Sequence, residues 1–150
     1  MIEFGEIGKS RRDDVLIGKL LSVWEASVRA SHDFLTDENI TKIAPEARQA
    51  LQFVDILVVV QEDGEPIGFM GVQECKIEML FLAPAYFSHG IGRQLIGLAL
   101  DKYNARYVDV NEQNHGAAKF YHRMGFKVIK RNELDGQGNP FPILEMEIDK

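Results

Sequence analysis

Apolar residues recur at helical spacing between Arg11 and Ser31, where Val15, Leu16, Leu20, Val23, Trp24 and Val28 are separated by charged side chains. The pattern predicts a long amphipathic helix. A second helix is expected over Asp37–Leu51, with Asp33 and Thr36 offering capping oxygens before it. Pro45 lies inside that stretch and is expected to limit or kink the helix, because it has no N–H to donate. The period then changes. Ile56–Val60 is a continuous β-branched run, Asp63-Gly64 reads as a hairpin turn, and Ile67–Val72 supplies the returning strand. Ile77–Leu82 reads as a further buried strand, ended by Ala83-Pro84.

Gly90–Lys102 places Ile91, Leu95, Leu98 and Ala99 on one face, which predicts a helix. Tyr107–Val110 is a short strand, Ala117–Met124 a helix stopped by Gly125, and Phe126–Ile129 and Leu144–Ile148 are strands. Asp135–Pro140 is dense in turn formers and is expected to be a mobile loop. No repeat, linker or low-complexity segment interrupts this order.

A chain of 150 residues with 45% hydrophobic and 27% charged side chains has the balance of one globular domain, residues 1–150, folding alone or as a homodimer. The net charge of -6 argues against gripping a nucleic acid by general electropositivity. Met1–Ser10 has no apolar run, and no segment reaches the roughly 18 apolar residues of a membrane span. A cytoplasmic protein with no nucleic-acid or membrane partner is expected. Cys75 is the only cysteine, so no internal disulfide forms. The histidines, at 32, 89, 115 and 122, lack metal-ligand spacing, and no metal site is predicted.

The strand–loop–helix passage through Gly90-Ile91-Gly92 is a recipe for an anion site. Backbone N–H groups at a helix start lack partners, the helix dipole favours negative charge there, and glycine admits a close approach. Arg93 adds a cation beside it. Taken alone the pattern also describes an ordinary tight turn. Two other phosphate motifs are absent: Gly8-Lys9-Ser10 has Glu3 where a Walker loop needs its first glycine, and Leu95 stands where a dinucleotide fingerprint needs its third.

Downstream, Asn114-His115-Gly116-Ala117 is followed by Phe120-Tyr121 and by Gly125-Phe126. This Asn-x-x-Ala, Phe-Tyr, Gly-Phe series resembles the second cofactor motif of the GNAT superfamily of N-acetyltransferases. Leu80-Phe81-Leu82-Ala83-Pro84 with Gly90-Ile91-Gly92-Arg93 resembles that family's first motif. The two motifs span Ile77–Phe126 in the family's order, and a segment around His32 resembles one in a subgroup of small bacterial members. One departure stands out: Phe87 and Ser88 occupy positions where the family usually has Arg or Gln and commonly a glycine.

The resemblance implies an α/β fold with a mixed, mostly antiparallel sheet of six to seven strands. About four helices would cover its faces, and strands 4 and 5 would splay to admit coenzyme A. It implies acetyl transfer from acetyl-coenzyme A to a primary amine, either a small molecule, a polyamine, or a protein lysine or amino terminus. A non-catalytic acyl-coenzyme A sensor on the same fold is the alternative. Main-chain groups of Leu80 and Leu82 would hold the acetyl and pantetheine portions. The amides of Phe87, Ser88, His89, Gly90, Ile91, Gly92 and Arg93 would hold the pyrophosphate.

Tyr121 matches the tyrosine that protonates the departing thiolate, and a phenol with a reference pKa of about 10 suits a thiolate of similar basicity. Asn114 matches a cofactor-binding residue and is equally placed to cap the helix after it. Strand alternation puts Glu78 on the face of Leu80 and Leu82, where it is the candidate general base, with water as the alternative. His32, Phe34 and Asn111 are the candidates for acceptor binding. Phe34 otherwise packs a helix junction.

Overall fold

The computed structural model describes residues 1–148. The strands are β1 (Ile2–Glu6), β2 (Ile56–Glu62), β3 (Glu65–Gln73), β4 (Lys76–Leu82), β5 (Tyr107–Asn111), β6 (Phe126–Asn132) and β7 (Ile143–Ile148). They form one sheet in the order β1-β2-β3-β4-β5-β7-β6, antiparallel except at β4–β5. Helices α1 (Asp14–Ser31) and α2 (Asp37–Phe53) pack on one face, and α3 (Ile91–Lys102) and α4 (His115–Arg123) on the other. Each face has its own core. Ile17, Leu20 and Leu51 meet Leu57 and Phe69 on the first; Leu95 and Ile96 meet Val60, Met70 and Phe126 on the second.

The long first helix begins later than its pattern suggests. Asp13 caps it by accepting from the Leu16 amide at 2.9 Å. Arg12 is thereby left outside the helix, and its buried guanidinium donates to the carbonyls of Ile7, Leu51, Gln52 and Val54. Two of these belong to the last turn of α2, whose carbonyls have no partner within the helix. Pro45 does not break α2, which runs through it. The carbonyl that loses its partner belongs to Thr41, an exposed residue that water can serve. β1 was not legible in the sequence, because only Phe4 among its residues is even half-buried.

The hairpins β2–β3 and β3–β4 both turn on residues of positive φ: Asp63 at 51° with Gly64 at 84°, and Glu74 at 48° with Cys75 at 67°. Left-handed pairs of this kind match the twist of the strands they join. The carbonyl of Cys75 then accepts from the amides of Arg106 and Tyr107 at 2.7 and 3.2 Å, fixing the start of β5 beside the start of β4.

Two irregularities open the sheet at its centre. In β4, Gly71 stands opposite Met79 but Val72 opposite Ile77, so Glu78 is an extra residue, a β-bulge that bends and twists the strand. In the parallel pair only Lys76 and Tyr107, then Ile77 and Val108, remain in register. Beyond those two steps β4 and β5 diverge and leave a gap between them.

Candidate functional site

The gap is a cleft of about 780 Å³ walled by β4 from Ile77 to Leu82 and by β5 from Val108 to Asn111. Between Glu78 and Leu82 the edge of β4 facing β5 has no strand partner. Side chains of α1 reach the cleft from one face of the sheet, and α3, α4 and the loop before α3 reach it from the other. The opening therefore connects the two faces.

At the α3 end, Ser88 has φ 64° and Gly90 φ 84°. Gly90 is the N-cap of α3 and supplies no side-chain bond, so the amides of the first turn remain free to donate to a ligand. Arg93 lies on that turn, exposed and lining the cleft. Gly92 has a packing reason as well, since a Cβ there would stand 3.2 Å from Cζ of Phe120 on α4. Phe87 also lines the cleft while packing on the core beneath α3.

Tyr121 is buried, with its ring edge-on to Phe120 at 5.3 Å and to Phe126 at 5.7 Å. Its hydroxyl has no protein partner among the described residues, yet no buried side-chain polar atom is orphaned, so the hydroxyl opens onto the cleft. Burial pushes the phenol well above its ordinary pKa. The group stays protonated across the physiological range and can donate.

On the other wall, Glu78 faces the cleft from the bulge. Partial burial raises its carboxyl, the cation of Lys76 opposes that, and Asp109 and Glu74 add to the rise. Lys76 pairs with Asp109 on β5. The cleft wall is thus acidic, and two carboxylates of the cleft share one cation.

His32 closes the C-terminus of α1 and is buried. Ser31 Oγ donates to the Ser27 carbonyl at 2.7 Å and lies 2.8 Å from His32 Nδ1. His32 Nε2 lies 3.4 Å from Nδ2 of Asn114, whose Oδ1 accepts from the Ala117 amide at 3.2 Å. Burial lowers the pKa of the ring, with Asp33 opposing. Asn111 lines the cleft, half-buried, and its side chain makes no protein hydrogen bond among the described residues.

Residues 30–150 match the acetyltransferase (GNAT) domain. The chain belongs to the GNAT acetyltransferase family. It is 38% identical over 128 residues to the peptidyl-lysine N-acetyltransferase YjaB of Escherichia coli K12, covering 85% of this chain and 87% of that protein. The solution structure of apo-form YjaB superposes with a TM-score of 0.83 at 33% identity, over 98% of this chain and 97% of that one. PaiA N-acetyltransferase from Thermoplasma acidophilum, crystallised in complex with coenzyme A, has the same fold, with a TM-score of 0.72 at 21% identity over 98% and 99% of the two chains.

The GNAT fold brings most of the sequence-predicted residues to the cleft: Glu78, Leu80 and Leu82 on β4, Phe87, Ser88, Gly90, Gly92 and Arg93 around the loop, and His32, Asn111, Asn114 and Tyr121 opposite. Three stand elsewhere. The Ile91 side chain is in the core, His89 is exposed with its ring 6.3 Å from Tyr86, and Phe34 packs between the rings of His32 and Phe141 at 5.4 and 5.7 Å. Glu78 reaches the cleft by a different route from the one expected, because the bulge interrupts simple alternation: Leu80 and Leu82 pack on the α3 side, Met79 and Phe81 on the α1 side. Glu78 lines both the cleft and a hollow against α2. Asn114 spends both ends of its amide inside the protein.

Ser27, Ser31, Asp109 and Arg123 also line the cleft without having been singled out in the sequence. The two serines are four positions apart on α1, a spacing that marks one helix face and was open to notice. The loop at Asp135–Pro140, expected to be mobile, is closed on the Asp135 carboxylate, which accepts from the amides of Gln137 and Asn139 at 2.9 Å. Among the described residues no cluster of His, Cys, Asp or Glu is arranged to hold a metal ion, and no helix is long and apolar enough to cross a membrane.

Proposed function

We propose that this enzyme transfers the acetyl group of acetyl-coenzyme A to the side-chain amine of a lysine in a peptide or protein, working as one cytoplasmic domain of residues 1–150. The observation that carries the reading is the through-sheet cleft with unlike ends. One end offers free amide donors at the start of α3, beside Arg93. The other is lined by Glu78 and Asp109, which suit a cationic acceptor. A diphosphate fits the first end and an ammonium the second. The likeness to YjaB supports lysine over other amines.

In this reading the Ser88–Arg93 amides hold the pyrophosphate, and the open edge of β4 at Leu80 and Leu82 lies along the pantetheine arm. Tyr121 gives its phenolic proton to the leaving sulfur. Asn111 and His32 flank the incoming amine. Coenzyme A release would be followed over lysine peptides, polyamines and small amines, with the acetylated product read by mass spectrometry. Acetylated lysine is the expected product. Tight acetyl-coenzyme A binding without transfer to any amine would instead favour a sensor.

A further inference from the structure

The hydrogen bonds around His32 fix its tautomer from both sides. Ser31 spends its hydroxyl proton on the Ser27 carbonyl, so its oxygen can only accept in the 2.8 Å contact with Nδ1. Nδ1 must carry the hydrogen. Asn114 spends its oxygen on the Ala117 amide, so the group 3.4 Å from Nε2 is an NH2, which requires a lone pair there. Ser27, Ser31, His32, Asn114 and Ala117 form one directed chain from a carbonyl of α1 to an amide of α4. At 3.4 Å the Nε2 contact is longer than a strong hydrogen bond, so that lone pair is only weakly engaged.

Resting on the amine-acetylation reading, we propose that His32 Nε2 is the catalytic base that takes the proton from the acceptor ammonium. Asn114 caps α4, and Tyr121 lies seven positions further on, about 10 Å along the axis. His32 and Tyr121 both line the cleft. The ammonium N–H bond breaks as Nε2 takes its proton, and the freed nitrogen lone pair forms a bond to the acetyl carbon. The C–S bond then breaks, its electron pair stays on sulfur, and Tyr121 protonates the sulfur. The second proton leaving nitrogen restores the phenol, and the imidazolium returns its proton to water.

Glu78 is less suited to the task. It is an exposed carboxylate on a bulge; partial burial raises its pKa, and the ammonium of Lys76 only opposes that rise. Among the described residues its side chain has no hydrogen bond of the kind that fixes His32, and its exposure beside Asp109 suits it to attract a cation. The other charges lining the cleft are Asp109 on β5, Arg93 on α3 and Arg123 on α4; the one that acts on His32 is its chain neighbour Asp33.

Two measurements test the assignment. Nitrogen-15 NMR of the ligand-free protein should show His32 neutral at pH 7 with hydrogen on Nδ1. A charged ring, or hydrogen on Nε2, overturns the proposal whatever the activity. In the second, His32→Gln places a carboxamide oxygen where it can accept from Asn114 but cannot bind a proton. It should lower kcat/KM on a lysine peptide by about 10²-fold and remove the acidic limb of the pH profile, with acetyl-coenzyme A binding by calorimetry unchanged. Wild-type turnover in that variant, or loss of the limb in Glu78→Gln instead, overturns the role. A wild-type enzyme that acetylates no amine overturns the acetylation reading itself and this role with it, whereas turnover with the wrong tautomer overturns this role alone.

Discussion

Lys76 and Asp109 form an ion pair across the last registered steps of the β4–β5 seam. Burial works against the Lys76 ammonium, but the hydrogen bond to Asp109 and the charges of Asp109, Glu78 and Glu145 outweigh it and hold its pKa above the usual value. Both side chains are about one-third exposed, at 32% and 35%, so solvent screens much of the attraction. Lys76→Met should cost about 1 kcal/mol in urea unfolding. It should also push Glu78 further up in an NMR titration, because Lys76 is the group that lowers it.

Tyr121→Phe keeps the ring contacts with Phe120 and Phe126 and deletes only the proton donor. Turnover should fall by about 10²-fold, with acetyl-coenzyme A binding unchanged by calorimetry. Full activity in this variant would remove the phenol from the reaction.

Gly92→Ala separates stability from activity. Alanine in place of glycine inside a helix gains about 1 kcal/mol, while overpacking costs about 1–3 kcal/mol. The new Cβ would press on Phe120 at 3.2 Å, and Phe120 supports Tyr121. The melting temperature should therefore change little while turnover drops several-fold.

The lowered pKa of His32 gives stability a direction in pH. Below the ordinary value of 6.5 the unfolded chain takes up a proton that the native ring refuses. Stability should fall as pH drops below 6.5, then level off once the native ring is protonated. Urea unfolding between about pH 7 and pH 5 should show this slope, and His32→Gln should flatten it.

Arg12→Ala removes the donor to the Leu51, Gln52 and Val54 carbonyls at the end of α2. A loss of about 3 kcal/mol is expected, read by denaturant unfolding. Arg12→Lys should not restore it, since an ammonium lacks the planar fork that reaches all of them.

The helices were legible because their apolar faces repeat at 3.6 residues, and the cleft's two motifs were legible because they carry glycine, asparagine and tyrosine at fixed offsets. Other features leave no trace in composition. A bulge at Glu78 looks like one more strand residue until its partner strand is known. β1 buries little and so writes almost no pattern. One of the two contacts that orient the His32 ring comes from Asn114, 82 positions away, and a contact of that separation is invisible to any local window. Ser88 is intermediate: it stands where the family commonly has glycine, and its φ of 64° is the backbone reason for that preference.

The two registered steps that join β4 to β5 divide the sheet mechanically. Strands β1 to β4 make one plate, β5, β7 and β6 another, and the joint between them is narrow. Whatever lies in the cleft touches both plates and works as a splint. Filling the cleft should therefore slow hydrogen exchange in β7 and β6 as well as along its own walls, a stiffening felt well beyond the atoms in contact.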